Sequence, residues 1–307
     1  MVLLFGPTGV GKTELIRKLS GRDFEVISAD SMQVYRGMDI GTAKPDPVLR
    51  QQIPHHLIDI RNPDEQFHLG DFIRLADEAV LDILRKGRLP VISGGTAYYF
   101  KHFLYGLPEA PSSDPEIRAE LAEIVRKEGL KPLREMLRRV DPFSAGRIDD
   151  NDAYRIQRAL EVYMSSGRPL SSFRVPDTMR EGLDPLIIGL CRPREELYRR
   201  IDRRVEQMFE AGLRSEVESL RQAGCSSEDP GMKAIGYREF FEAEQEPLPR
   251  IQTASRRYAK RQLTFFRALS GTIWMNPGDH EKILQKIYSF LSFRKESISR
   301  ISSVSIE

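Results

Sequence analysis

Eight residues near the amino end carry the clearest chemistry. Gly6, Pro7, Thr8, Gly9, Val10, Gly11, Lys12 and Thr13 fit the spacing G-x-x-x-x-G-K-[ST] and follow a short apolar run, Val2 to Phe5. A buried strand running into a helix is the setting that motif needs. Glycines here let backbone N–H groups turn inward around a phosphate, and the helix N-terminus adds partial positive charge. Lys12 sets a point charge on the outer phosphate, and the Thr13 hydroxyl can ligate Mg²⁺. Diphosphate or nucleotide binding follows. The loop does not choose the compound: an ATP-binding kinase, a motor ATPase and a non-nucleotide transferase all fit it.

Two further turns offer functional groups. Ser28-Ala29-Asp30-Ser31 closes a second apolar run, and ligands of open α/β sheets bind beyond the carboxyl ends of the strands. The Asp30 carboxylate there can hold a metal through water, take a proton from a substrate, or cap a turn. Gly94-Gly95-Thr96 ends a third run, Pro90 to Ser93. Its glycines allow close backbone approach, and Thr96 can aim its hydroxyl or N–H at an anion or cap the helix behind it. The aromatics of that helix, Tyr98, Tyr99 and Phe100, suit a core better than a stacking platform. The stretch Tyr35 to Pro45, with two glycines and little periodicity, is a loop over the same edge. His55 and His56 show no metal-ligand spacing and suit a structural role.

Basic residues gather in one place. Between Arg250 and Trp274 stand Arg250, Arg256, Arg257, Lys260, Arg261 and Arg267, with no Asp or Glu and with Tyr258, Phe265 and Phe266 interleaved. Cations on a helix neutralise phosphates and aromatics stack on splayed bases, so this segment suits nucleic acid. A shorter stretch, Tyr154-Arg155-Ile156-Gln157-Arg158, suits ordinary surface charge as well.

Positioning these groups calls for strands alternating with helices. Helices are expected from Lys12 to Leu19 and over 71–86, where Phe72, Leu75, Ala76, Ala79, Val80, Ile83 and Leu84 share one face and Gly87 stops the run. The predicted class is α/β: a P-loop NTPase-like parallel sheet flanked by helices, with a helical insertion domain. The core occupies 1–111. The insertion, helical and charged, runs over 112–180 as a lid. The core resumes over 181–293 with a strand at 186–190, one long helix from Ile201 to Leu220 that Gly212 kinks, basic C-terminal helices from about 251, and a last strand at 273–275. A flexible tail is expected over 294–307.

The 307 residues carry 47 Lys plus Arg against 45 Asp plus Glu, a net charge of +2. A globally basic coat is thereby excluded, and a polyanion site must arise from local clustering. No apolar run approaches the roughly 18 residues of a membrane span. The amino end lacks the features of a signal peptide, and the two cysteines make neither a disulfide framework nor a Cys-rich zinc site. A cytoplasmic enzyme, a monomer with no membrane partner, is the expectation.

The ordered set of the phosphate loop, SADSMQVYRGMDIGTAKP, PHHLID, GGTAYYF, SDPEIR, NDAYRIQRALEVY, AIGYRE and YAKRQLTFFR resembles the tRNA dimethylallyltransferase family, also called isopentenyl-diphosphate:tRNA transferase. The likeness runs from Val2 to about Trp274. It implies transfer of a dimethylallyl group from dimethylallyl diphosphate, with Mg²⁺, to N6 of the adenosine 3′-adjacent to the anticodon in tRNAs reading UNN codons, giving N6-isopentenyladenosine. The partner is the tRNA anticodon stem-loop. By position, Asp30 resembles the general base, and Thr96 and Arg118 resemble donors at the reacting centre. Asp30, Ser31, Met32 and Gln33; Tyr154, Arg155, Ile156, Gln157 and Arg158; Lys233, Gly236, Tyr237 and Arg238; and Lys260, Arg261, Gln262 and Arg267 resemble tRNA-contacting segments.

The sequence departs from that pattern at Gly9 (commonly alanine), Tyr154 (often glutamine) and Phe265 (often tryptophan, where a stacking contact changes). No zinc-finger tail of the eukaryotic type is present, as expected of a bacterial- or organellar-type form. Three rivals share features: a small-molecule P-loop kinase with a lid, a GTPase-like tRNA-binding module, and a transferase that prenylates free AMP or ADP. The missing N-K-x-D motif weighs against the second, and the basic helix and full-size insertion weigh against the third.

Overall fold

Six segments form one sheet in the computed structural model: β1 (Val2–Phe5), β2 (Phe24–Ala29), β3 (His55–His56), β4 (Leu89–Gly94), β5 (Leu186–Leu190) and β6 (Ile273–Met275). They lie in the order β3-β2-β4-β1-β5-β6, every pairing parallel. The structure describes residues 1–19, 23–242 and 246–304, with side chains through 292. β1, β2 and β5 are buried along their whole length, as strands covered on both faces must be. This is the expected P-loop NTPase-like α/β architecture.

Helices α1 (Lys12–Lys18), α2 (Pro47–Gln52), α3 (Leu69–Arg85) and α4 (Ala97–Tyr105) follow the early strands. α3 presents Phe72, Ala76, Ala79, Val80 and Ile83 to the interior, while Leu75 is half-buried and Leu84, expected on the same face, is exposed. Asp71 accepts the His68 N–H at its start, and Gly87 stops it with φ +70°. The rings of Phe5 and Phe266 stack at 4.3 Å, and Phe100 meets Phe5 edge-on at 5.1 Å.

The chain divides into two compact units, Met1–Phe103 with Gly182–Glu307, and Leu104–Glu181. The second unit opens at Leu104, where the sequence set the insertion at 112. It holds α5 (Pro115–Glu128), α6 (Lys131–Val140), α7 (Pro142–Ala145) and α8 (Ala153–Ser166). Asp114, Asp141 and Asp152 cap α5, α7 and α8 with their side chains. Leu121, Leu133, Leu137, Ile156, Ala159 and Leu160 make its own core.

In the first unit the expected long helix is two, α9 (Arg194–Glu210) and α10 (Leu213–Gln222). Gly212 between them takes φ +99°, which ends a right-handed helix rather than bending it. α11 (Pro247–Phe266) and α12 (His280–Val304) complete the order. The flexible tail expected over 294–307 falls on residues whose side chains, and at 305–307 whose backbone, lie outside the described residues. Among the described residues no helix is long and apolar enough to cross a membrane.

Candidate active site

Register brings the three expected turns together. Phe5 and Ala29 both pair with Gly94, so Gly6, Asp30 and Gly95 leave the sheet side by side. A Cβ on Gly94 would lie 2.1 Å from the Ala29 carbonyl oxygen, so only glycine lets the strands end at one level.

The phosphate loop is shaped by its glycines and held from outside. Gly9 and Gly11 adopt φ +76° and +110°, and Gly11 caps α1 without a side-chain bond, which leaves the N-terminal amides free of a capping side chain. Arg192 Nε donates to the Val10 carbonyl at 2.8 Å and Arg200 Nε to the Gly9 carbonyl at 3.0 Å. Lys12 Nζ folds back onto the carbonyls of Gly6 and Pro7, at 2.8 and 3.0 Å. On the far side the Gln262 Oε1 accepts the Thr8 N–H at 2.9 Å, and its Nε2 donates to the Gly95 carbonyl at 2.7 Å.

The acidic turn is tied to the glycine turn. Asp30 Oδ1 accepts the Met32 N–H at 3.0 Å, Thr96 Oγ1 accepts the Ser31 N–H at 3.0 Å, and the Thr96 N–H donates to the Ala29 carbonyl. Gln33 Nε2 reaches the carbonyls of Thr42 and Ala43. The loop carrying those residues is pinned from α10: Glu216 accepts the N–H groups of Asp39, Ile40 and Gly41 at 2.9, 2.8 and 3.1 Å.

Thr8 to Thr13 contribute five lining residues to one cleft of about 880 Å³, beside Asp30, Gly95 and Gln262, while Thr96 is outside that lining and bonded to Ser31. Lys12, Thr13, Asp30, Arg204 and Tyr258 make its polar part, and Ile201, Val205, Met208 and Ile251 give it an apolar wall. Burial, with Arg204 beside it, pushes the Lys12 ammonium down to about 7 against the pull of Asp30. Burial likewise lowers Arg204, while Asp30 opposes the shift. Burial and the Asp30 charge push the Tyr258 phenol up to about 12, although hydrogen bonds with Thr96 and Gln262 work the other way. At neutral pH Tyr258 is therefore a neutral hydroxyl. A recessed lysine, an arginine and open amides beside a carboxylate can hold a polyphosphate while a proton is taken from a second reactant.

The remaining expected residues separate into groups. Ser31, Met32, Gln33, Lys233, Arg238, Arg261 and Gln262 line the cleft. Lys260, Arg257 and Arg261 are exposed along α11, and Arg267 is exposed at its end. Two cations of the basic segment are engaged within the protein: Arg256 pairs with Asp202 of α9, and Arg250 with Glu242. Buried within the folded units are the side chains of Ile156 and Tyr237. The Gly236 N–H donates to Glu239. Gln262 is only 4% exposed, its amide spent on Thr8 and Gly95. Tyr99 and Phe100 are core, whereas half of Tyr98 is exposed. His56 bonds the buried Glu25, the structural role expected of it.

In the second unit the buried Glu161 carboxylate gathers Arg118 at 3.3 Å, Arg158 at 2.8 Å, the Ser113 hydroxyl and the Asp114 N–H. Arg158 also donates to the Pro111 carbonyl. Arg118 lies over the Tyr154 ring, 5.8 Å from its centroid. Tyr154 and Arg155 are exposed. Arg158 thus fixes the entrance segment of this unit.

Sequence reasoning missed Arg192, Arg200, Arg204 and Glu216. The three arginines fall in and just before a helix dense in charge, Arg194 to Glu210, which by itself describes a solvated face. Glu216 had no local signal, because its loop partners lie about 175 residues away along the chain.

A profile of the IPP transferase family matches residues 33–269. A tRNA dimethylallyltransferase 2 of Geotalea daltonii is 44% identical over 299 residues, covering 94% of this chain and 92% of that protein. The full-length tRNA isopentenylpyrophosphate transferase of Bacillus halodurans superposes with TM-score 0.67 at 37% identity, covering 98% of each chain. A eukaryotic dimethylallyltransferase solved acting on tRNA gives TM-score 0.73 at 30% identity, covering 86% of this chain and 69% of that one.

Proposed function

The chain belongs to the IPP transferase family, and from that premise we propose that its cleft holds dimethylallyl diphosphate together with the adenosine 3′-adjacent to a tRNA anticodon. The reaction is prenyl transfer to tRNA. The acceptor is N6 of that adenosine in tRNAs reading codons that begin with U, and the setting is the cytoplasm.

The observation that carries the site assignment is the meeting of the phosphate loop, Asp30 and an apolar wall in one cleft. An adenine N6 amine is a poor nucleophile, because its lone pair is delocalised into the ring. The allylic carbon reacts only if diphosphate leaves. Lys12, Arg204 and the open amides of α1 stabilise the charge that develops on the departing oxygen. Ile201, Val205 and Met208 accommodate the five-carbon chain. Asp30 takes the proton that N6 loses, a role worth about 10²–10⁴-fold. The base must leave its stack to reach Asp30, at a cost of about a few kcal/mol, which the cations of α11 offset through the stem-loop phosphates.

The donor set fits Mg²⁺. Among the described residues no group of three or more His, Cys, Asp or Glu could hold a metal, while Thr13 and Asp30 line the cleft. Magnesium commonly takes one or two protein oxygens and completes its shell with water and phosphate. Thr13, and Asp30 through water, would hold it; bound there it neutralises diphosphate charge.

The test is incubation with dimethylallyl diphosphate, Mg²⁺ and unmodified tRNA, read by mass spectrometry for the gain of one C5H8 unit at that adenosine. AMP in place of tRNA serves as the control. Phosphoryl transfer from ATP to a small molecule, with no prenylated tRNA, would replace this reading by a kinase.

A further inference from the structure

We infer that Gln262 is a positioning residue for the diphosphate loop, acting as a buried strut between that loop and the glycine turn, and not an RNA-contacting residue. The inference rests on the cleft assignment above and deepens it.

The Gln262 amide works in two directions. Its oxygen accepts the Thr8 N–H at 2.9 Å and its nitrogen donates to the Gly95 carbonyl at 2.7 Å. A side-chain amide offers an acceptor and a donor on one rigid plane. A carboxylate could not donate to Gly95, and an ammonium could not accept from Thr8. The side chain is 4% exposed, so its polar atoms are consumed inside the protein. Its neighbours in sequence, Lys260 and Arg261, are exposed. Helical geometry therefore splits the run Lys260-Arg261-Gln262 between two tasks, with Lys260 outward, Arg261 exposed at the cleft and the Gln262 amide turned inward.

Space at the strut is tight. A Cβ on Gly95 would stand 2.5 Å from Gln262 Nε2, so Gly95 is the residue that lets the amide close. Tyr258 lines the same cleft as Gln262 and Gly95, and Thr96, next to Gly95, accepts the Ser31 N–H beside Asp30, which connects the strut to the turn that Asp30 adjoins. Thr8 is the loop residue whose N–H is fixed in this way. Without the strut, that N–H has no side-chain anchor, and the donor must order the start of the loop on binding.

The experiment compares Gln262→Leu and Gln262→Glu with the parent protein. Affinity for a non-hydrolysable dimethylallyl diphosphate analogue is measured by calorimetry, tRNA affinity by filter binding, and turnover as a kcat and KM split. The strut predicts that both variants bind the donor analogue about tenfold or more weakly, as removal of one to two buried hydrogen bonds implies. KM for the donor rises, and tRNA affinity stays within about twofold. Thermal unfolding establishes that each variant is folded; should Gln262→Leu fail to fold, Gln262→Glu, which keeps the acceptor for Thr8, carries the test. A third arm uses coupling: Gly95→Ala harms donor binding less in the Gln262→Leu background than alone, because the clash with Nε2 is gone. Weakened tRNA binding with unchanged donor affinity overturns the inference, and so does strict additivity of the two substitutions. If the parent protein prenylates no tRNA, the cleft assignment fails; if it does and the variants bind donor normally, only the strut fails.

Discussion

The Tyr237 hydroxyl donates to Glu216 at 2.6 Å beneath the loop whose amides the same carboxylate collects. A Cβ on Gly41 would reach 2.4 Å from the Tyr237 ring, so loop, ring and carboxylate lock in one arrangement. Burial first, then the Glu216 charge, raises the Tyr237 phenol far above its ordinary value, and the ring stays a neutral donor. Glu216→Ala strands three backbone donors and the phenol, and a loss of about 2–4 kcal/mol in denaturant unfolding is expected. Tyr237→Phe removes one bond and costs about 0.5–1.5 kcal/mol. Equal losses for the two variants would show that the carboxylate does not organise the loop.

Asp30→Asn keeps an oxygen for the Met32 N–H but accepts no proton. Single-turnover prenylation falls about 10²–10⁴-fold while tRNA binding is retained. Turnover within a few fold of the parent would remove Asp30 from the base role.

Lys12 supplies a pH signature. Burial and Arg204 hold its ammonium down at about 7, and an incoming diphosphate raises it. Between the free and bound values, binding takes up a proton, so donor affinity weakens as pH climbs above about 7. Calorimetry at pH 8 in buffers of different ionisation enthalpy measures this uptake; no buffer dependence, or proton release, contradicts it.

Glu25 gives an acid signature of stability. Burial alone would raise its carboxyl, but hydrogen bonds from His56 and Arg88 and the nearby Lys86 hold it below 4.5. A depressed folded value stabilises above the unfolded value, and that stability is lost as pH falls through the folded one. The deficit of Glu25→Gln relative to the parent is therefore full at pH 6 and shrinks below about pH 4.5. A deficit that grows in acid would reverse the sign of the argument.

The exposed cations of α11 carry a salt signature. Lys260→Ala with Arg261→Ala weakens tRNA binding and lowers the slope of log affinity against log salt by about 0.7–0.9 for each phosphate no longer neutralised. Arg256→Ala leaves the slope unchanged, because Arg256 is paired with Asp202. A parallel drop for all three would mean that the ion pair opens on the RNA.

Sequence alone determined whatever chemistry is written in neighbouring residues. The phosphate loop needs adjacent glycines, a lysine and a threonine between a strand and a helix. β1, β2, β4, β5 and β6 needed only short apolar runs, whereas β3, the pair His55–His56, has none and was not legible as a strand; α3 needed only its spacing. The place of Asp30 at the cleft was legible because strand ends are where such sheets bind ligands. Tertiary structure decided everything that depends on what faces a side chain. Arg204 and Arg256 are both helix arginines directly beside another arginine, yet one lines the cleft and the other is tied to Asp202. Glu216 and Gln262 act on backbone groups about 175 and 254 residues distant. A hydrogen bond to a distant main-chain amide leaves no periodicity or motif in the chain, because its partner is a group every residue but proline possesses.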